Sequence, residues 1–176
     1  YDPSSGAFFL RNSNGSGAAD VVFTFGAGGA GVSALAGDWN GDGIDTIGLY
    51  IASTGVFFLR DSNSSGPADL ILTFGTGGAG VVPIVGDWNG DGTDTIGLYV
   101  EGSGTLFLRN VNAPGGADLA FSYGPAGAVP VAGDWNGDGI DTIGGYNNAL
   151  GQFQLRNTND TGSADISVIF GAGNQI

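Results

Sequence analysis

The sequence of 176 residues contains no cysteine, histidine, methionine or lysine, and its only bases are four arginines. Without cysteine there is no disulfide framework, no thiolate zinc site and no thiol nucleophile. Without histidine, the Ser/His and Cys/His pairs of nucleophilic catalysis are absent as well. No apolar run approaches the roughly 20 residues of a membrane-spanning helix. We therefore expect no enzymatic activity and no membrane insertion.

Positive charge is also scarce: the chain has four arginines against 17 acidic residues, and its net charge is −13. Such a surface repels phosphate backbones, so binding of nucleic acid is not expected. The chain is nevertheless 41% hydrophobic despite its 36 glycines, which is enough apolar material for a folded core.

The dominant feature is an internal repeat. An acidic string, GDWNGDGIDTIGLY at 37–50, returns with few changes at 86–99 and 133–146, so that its first aspartate recurs at spacings of 49 and 47 residues. A second module, GAFFLRNSNGSGAADVVFTFG, begins at Gly6 and recurs at Gly55, Gly104 and Gly151. Tyr1 aligns with Tyr50, the last residue of the acidic string. The chain thus starts within a repeat, and we expect it to be a segment of something longer.

Each repeat predicts four short strands and no helix. The strands are rich in β-branched and aromatic residues and almost continuously apolar, as in VFFL and LIL, which indicates sheets covered on both faces. Four strands every 47–49 residues are typical of a β-propeller blade. We predict an all-β protein of four-stranded antiparallel blades, about three and a half in number, divided as a half blade at 1–31 and blades at 32–80, 81–127 and 128–176.

The acidic string has the spacing of a calcium loop. Counting from Asp38, side-chain oxygens fall at positions 1, 3 and 5, glycine at position 6 and a backbone carbonyl donor at position 7. Hard oxygen donors without sulfur or imidazole favour Ca²⁺ over zinc or copper. An alternative stays open, since Asp, Asn and Gly also favour hydrogen-bonded turns that need no metal.

The D-x-N-x-D-G string between two strands, together with Phe-Gly and further glycines after the fourth strand (TFGAGGAG, TFGTGGAG), resembles the FG-GAP repeats of integrin alpha-subunit propellers and the related VCBS-type repeats of bacterial surface and secreted proteins. The resemblance spans the whole chain. It implies an extracellular protein that binds calcium in the loop between the first and second strands of each blade. Where that family usually has an aspartate at the ninth position this chain has threonine, with an aspartate one place earlier, so either residue could complete the calcium shell. The predicted metal ligands are Asp38, Asn40, Asp42, Ile44, Asp45 and Thr46, then Asp87, Asn89, Asp91, Thr93, Asp94 and Thr95, and finally Asp134, Asn136, Asp138, Ile140, Asp141 and Thr142.

Three further patterns have mainly structural interpretations. Each arginine precedes an aspartate by nine residues, as Arg60 precedes Asp69, which predicts an ion pair across a hairpin. The tryptophan after the first aspartate of each loop is expected in the core, although it could also stack on a sugar. Triplets of the N-x-S/T type begin at Asn14, Asn63 and Asn159 and make these hairpin tips candidate glycosylation sites.

Two classes of function remain. The first is a calcium-rigidified structural, adhesive or assembly module of the cell exterior, with filament formation as one form of assembly; the second is a lectin-like module that holds glycans between blades. An accessory domain of a large secreted enzyme is a third interpretation. Because three and a half blades do not close a ring, the exposed ends predict self-association or further repeats as partners, beside protein or glycan ligands.

Overall fold

The computed structural model describes residues 1–124 and 127–171, and these residues form fourteen β-strands in four antiparallel sheets. The all-β class, the antiparallel pairing and the predicted number of strands are thereby confirmed. Within the described ranges there is no helix with the length and apolarity needed to cross a membrane. The strands are β1 Ala7–Leu10, β2 Val21–Thr24, β3 Val32–Gly37, β4 Thr46–Ile51, β5 Val56–Leu59, β6 Leu70–Thr73, β7 Val81–Gly86, β8 Thr95–Val100, β9 Thr105–Leu108, β10 Leu119–Ser122, β11 Val129–Gly133, β12 Thr142–Asn147, β13 Gln152–Leu155 and β14 Ile166–Ile169.

Strands that are consecutive in the chain are neighbours in each sheet. Sheet 1 contains β1 and β2, sheet 2 contains β3–β6, sheet 3 contains β7–β10 and sheet 4 contains β11–β14. The first strands of successive four-stranded sheets contact one another, β3 with β7 and β7 with β11. Each four-stranded sheet therefore consists of an inner hairpin, formed by its first two strands around the acidic loop, and an outer hairpin formed by its last two strands.

The second strand of each complete sheet contributes a run of buried residues to the core. The segment TIGLY of β4 and β8 is buried at every position, as the near-continuous apolarity predicts for a strand covered on both faces. Its tyrosine, Tyr50 in sheet 2, is fully buried and lies 4.6 Å from the ring of Phe57 on the adjacent strand. Three hydrophobic clusters of this kind lie between successive sheets, with Leu49 in the first and Leu98 in the second.

The glycine of the Phe-Gly motif allows successive sheets to approach closely. A Cβ added at Gly26 would lie 2.6 Å from Cδ1 of Leu49 on the next sheet, and one at Gly75 would lie 2.7 Å from Cδ1 of Leu98. Both glycines also have φ near +70°, which side chains disfavour. At these two positions the absence of a side chain therefore leaves room for the leucine of the next sheet.

Candidate metal-binding loops

The first acidic loop is organised by the carboxylate of Asp38. Its Oδ1 accepts hydrogen bonds from the backbone N–H groups of Gly41 (2.8 Å) and Asp42 (3.1 Å), and its Oδ2 accepts one from Gly43 (2.7 Å). Asp38 is buried although it begins an exposed loop. The chain is thus wound around this one carboxylate.

The next two oxygen-bearing side chains meet at the same loop. The Asn40 amide donates to Oδ2 of Asp42 at 3.1 Å, and Oδ1 of Asp42 accepts from the N–H of Ile44 at 2.9 Å. The side chains at loop positions 1, 3 and 5 of the predicted calcium spacing are therefore brought together, as the odd spacing in a tight loop predicts.

The same arrangement occurs in all three loops. In the second loop Asp87 accepts from the N–H groups of residues 90, 91 and 92 at 2.8, 3.2 and 2.7 Å. In the third loop Asp134 accepts from those of residues 137, 138 and 139 at 2.7, 3.2 and 2.9 Å. The asparagine-to-aspartate side-chain bond is 2.9 Å in both.

Glycine at position 6 of each loop adopts the left-handed conformation that the sharp turn predicts. Its φ is +85° at Gly43, +85° at Gly92 and +86° at Gly139. A side chain is disfavoured there whatever space surrounds it, because Cβ would crowd the backbone.

Hydrogen bonds favour the ionised form of loop carboxylates. The pKa of Asp134 is lowered chiefly by the N–H of Gly139, and the pKa of Asp91 is lowered chiefly by the amide of Asn89. Both groups therefore remain negatively charged at neutral pH, as cation ligands must.

The oxygen ligands of one loop are too few to complete the coordination shell of calcium. A carboxylate offers about four lone-pair positions. Asp38 uses three of them for backbone N–H donors, and Asp42 uses two, one for the Asn40 amide and one for the N–H of Ile44. Among residues 1–124 and 127–171, no three His, Cys, Asp or Glu side chains form a metal-holding group. Each loop would thus contribute two carboxylates, one amide oxygen and one carbonyl, and water would supply the rest of the about 6–8 oxygens that calcium takes. The same hydrogen bonds also satisfy the metal-free turn interpretation.

The aspartate at position 8 points away from its own loop in two of the three cases. Asp94 accepts a hydrogen bond from the N–H of Asp38 in the preceding sheet at 2.8 Å and returns one from its own N–H to the Asp38 carbonyl, also at 2.8 Å. Asp141 makes the same pair of bonds with Asp87, at 3.0 and 2.8 Å. Asp45 is exposed, and no such bond is found for it within the described residues.

Burial sets the protonation behaviour of these position-8 side chains. It raises the pKa of Asp94 and of Asp141, and other aspartates nearby raise it further. Asp45 is among those neighbours for both carboxyls, so position-8 aspartates from three sheets lie within electrostatic reach of one another.

The threonine at position 9 belongs to the sheet. The hydroxyls of Thr46 and Thr142 are directed to the carbonyls of Gly37 and Gly133 at 3.4 Å. Thr95 donates to the Arg109 carbonyl at 2.6 Å, and all three threonines are buried. Each threonine side chain is thus engaged where the two strands of the inner hairpin leave the loop.

The candidate glycosylation sites differ from exposed hairpin tips in two cases. The Asn63 amide donates to the carbonyl of Asp45 at 3.0 Å, the Asn159 amide donates to that of Asp141 at 2.9 Å, and both side chains are half-buried. Asn14 alone of the three is exposed. A glycan on Asn63 or Asn159 would replace one hydrogen of an amide that holds the outer hairpin to the inner one.

Three of the four arginines take the place predicted for them, and no ion pair of Arg11 with Asp20 is found within the described residues. Trp39 and Trp88 lie in the core as predicted, whereas Trp135 is half-buried. Arg60, Arg109 and Arg156 lie 3.9, 3.2 and 4.0 Å from the aspartates nine residues later. Their guanidinium groups also donate to loop carbonyls, as Arg60 does to that of Ser64 at 2.8 Å. Trp39 is buried and donates from Nε1 to the Ile47 carbonyl at 3.1 Å.

Sequence reasoning missed the bonds between sheets at position 8 and the role of the tip asparagine. A signal for the second existed, because the asparagine recurs as Asn112, where alanine and proline follow and no glycosylation triplet is present. Asn112 donates to the Asp94 carbonyl at 2.8 Å, like its counterparts. Comparison of the chain with protein-family models, with curated proteins and with solved structures finds no match.

Proposed function

We propose that this chain is an extracellular calcium-binding repeat module with a structural and assembly role, in which each acidic loop holds one Ca²⁺. The observation that carries the proposal is the threefold repetition of one loop geometry around Asp38, Asp87 and Asp134. Turn chemistry alone does not require the same three oxygen-bearing side chains at positions 1, 3 and 5 each time.

In each loop the residues at positions 1, 3 and 5 and the carbonyl at position 7 would hold the ion. In the first loop these are Asp38, Asn40, Asp42 and Ile44. The bound ion would supply positive charge that offsets the repulsion between the two carboxylates. Asp38 and Asp87 also carry the backbone groups to which the following sheet is hydrogen-bonded, so a loop stiffened by metal stiffens the junction between sheets.

We further propose that the sheets are blades of a propeller-like repeat assembly. The contacts of β3 with β7 and of β7 with β11 support this arrangement, since the first strands of successive blades line a propeller axis. The resemblance to FG-GAP and VCBS-type repeats supports the extracellular location and the adhesive or assembly role.

A lectin-like function is less well supported by the described surfaces. Trp39 and Trp88, two of the three candidate sugar platforms, are buried in the core, and the third, Trp135, is half-buried. Two equivalent cavities of about 330 and 340 Å³ lie between successive sheets, but apolar side chains and glycines line them almost entirely. A glycan site needs several convergent polar groups, and these cavities offer few.

Titration calorimetry with calcium tests the proposal. We expect three equivalent binding events in the wild-type chain and two in Asp42→Ala, because that substitution removes one ligand carboxylate. Asp20→Ala is the matched control: Asp20 accepts a backbone hydrogen bond from Asn12 in an outer hairpin and is not among the predicted calcium ligands. Calcium binding that is absent, or unchanged by Asp42→Ala, would contradict the proposal.

A further inference from the structure

The three complete sheets show how an inner hairpin is held to an outer one. The backbone N–H groups of Arg60, Arg109 and Arg156 donate to isoleucine carbonyls of the inner hairpins at 3.1, 3.0 and 3.1 Å. The tip asparagines Asn63 and Asn159 donate from their amides to the position-8 carbonyls of the inner hairpins. The arginine N–H and the asparagine amide of each outer hairpin therefore both donate to carbonyls of the inner hairpin.

In sheet 1 both donors lack these acceptors. Sheet 1 has the outer hairpin β1–β2, and Arg11 and Asn14, which correspond to Arg60 and Asn63, are exposed. No hydrogen bond from the Arg11 N–H or the Asn14 amide is found among residues 1–124 and 127–171. Phe9 on β1 is 55% exposed, whereas its counterpart Phe58 is half-buried.

The adjoining loop of sheet 2 lacks the corresponding partners. At the two internal junctions the position-7 residue packs on a glycine of the preceding loop, Thr93 on Gly41 and Ile140 on Gly90, so closely that a Cβ added to either glycine would lie 3.0 Å from that side chain. Ile44 has no such counterpart within the described residues and is 60% exposed. Asp45, beside it, lacks the bonds that Asp94 and Asp141 make.

These exposed groups of sheet 1 and sheet 2, Asn14 excepted, line one cavity. It has a volume of about 450 Å³, and its lining includes Phe9, Arg11, Ile44 and Asp45. Asp2 bridges β1 at Ala7, its N–H donating to the Ala7 carbonyl at 2.8 Å, and the edge of β1 beyond Ala7 presents a row of further backbone donors and acceptors. A small polar ligand would leave this remaining edge unpaired. An added strand satisfies such a row.

We propose that this cavity and the edge of β1 receive an inner hairpin of the same repeat, of the type that residues 81–98 form in sheet 3. Its second strand pairs with β1 as β8 pairs with β9, and it ends where the Tyr1 ring already packs at a tilt against the Phe8 ring, with centroids 4.7 Å apart. Its first aspartate bonds through the backbone to Asp45, and its carbonyls accept from Arg11 and Asn14. This goes beyond the calcium proposal and requires no metal.

The test uses the full chain in EDTA and a synthetic peptide with the sequence of residues 81–98. Hydrogen exchange measured by NMR should show the Arg11 amide exchanging rapidly in the free chain and at least about tenfold more slowly in saturating peptide. Asp45→Ala should weaken peptide binding by about tenfold. Glu101→Gln, at an exposed turn of sheet 3, should leave the affinity unchanged. A scrambled peptide should not bind.

Unchanged exchange at Arg11 in saturating peptide, or equal binding of the scrambled peptide, would overturn the proposal. So would a slow Arg11 amide in the free chain together with a dimer in sedimentation, since a second copy would then cover the edge. A second variant, with the same hairpin sequence joined directly ahead of Tyr1, removes any dependence on peptide solubility. It should melt at a higher temperature than a scrambled fusion and protect the Arg11 amide; a rapidly exchanging Arg11 amide would contradict the proposal.

Discussion

Nearly identical local sequences give the position-8 aspartates different environments. Asp45, Asp94 and Asp141 each precede a threonine at the same position of their respective loops, yet the first is exposed and the other two are half-buried against a preceding sheet. The difference arises because the partner of Asp94 is the backbone of Asp38, 56 residues earlier in the chain. The chemistry of each residue is therefore decided by the neighbouring sheet.

Asp94→Ala should destabilise the fold more than Asp45→Ala. Removing the Asp94 carboxylate leaves the partly buried N–H of Asp38 without an acceptor, which costs about 1–3 kcal/mol. Asp45→Ala changes an exposed side chain and should alter the free energy of unfolding by less than about 0.5 kcal/mol. Chemical denaturation in EDTA compares the two variants, and equal losses would show that the bond between sheets contributes nothing.

Stability without calcium should rise on mild acidification. Because Asp94 and Asp141 have a pKa raised above the ordinary value of 3.8, the folded state binds these protons more tightly than the unfolded state does. Their contribution is fully present below that value and is lost as pH rises through the folded pKa. Asp91 and Asp134, whose pKa is lowered, act oppositely: stability is lost as pH falls through their folded pKa.

The pH dependence is measurable by thermal unfolding in EDTA between about pH 7 and pH 4.5. We expect the melting temperature of the wild type to rise over this range. The double variant Asp94→Asn with Asp141→Asn should show a smaller rise, because the amides still accept the hydrogen bonds but do not titrate. The same slope in both proteins would assign the effect to general charge repulsion.

At the scale of the element, the repeat sequence predicts the strands but not the partners of every loop. The apolar TIGLY segment, the turn glycines and the number of strands follow from local pattern, and β4 and β8 are buried as that pattern predicts. The hydrogen bond between Asp94 and the loop of another sheet does not follow from local pattern. Both the metal-ligand spacing and the turn spacing predict only that the Asp94 carboxylate belongs to its own loop. Local pattern contains no information about which surface a neighbouring sheet presents.

The Phe-Gly motif at Gly75 and its Tyr-Gly counterpart at Gly124 offer a matched pair of positions at this scale. A Cβ added at Gly75 would meet Leu98 across the junction between sheets, whereas one added at Gly124 would have no atom of the described residues within 4 Å. The sequence explains the difference, since TIGLY in β8 becomes TIGGY in β12 and Gly145 replaces the leucine. Both glycines have positive φ, +71° and +77°.

Gly75→Ala should therefore cost more than Gly124→Ala. Both lose about 1 kcal/mol to a left-handed alanine, but only the first also forces Leu98 to move, which adds about 1–3 kcal/mol. Urea unfolding of the two variants checks this difference. Equal losses would mean that the motif is kept for its backbone conformation alone.

At the scale of the whole molecule, charge and metal are linked. Nine of the 17 acidic residues lie in the three loops, and three calcium ions would bring the net charge from −13 to −7. Because these loops also join sheet 2 to sheet 3 and sheet 3 to sheet 4, the effect of the metal should spread beyond the loops. Calcium should raise the cooperativity of unfolding as well as its midpoint.

Thermal unfolding of the wild-type chain in calcium and in EDTA, with the metal content of the folded protein measured alongside, tests the central claim most directly. When free calcium is present at about 100 times the dissociation constant of a site, binding at that site stabilises the folded state by about 2.7 kcal/mol. The contributions of three such sites add. We predict a higher melting temperature in calcium, a smaller rise in Asp42→Ala, and about three ions for each chain. Superimposable melting curves, with no calcium in the folded protein, would contradict the account and leave the loops as hydrogen-bonded turns.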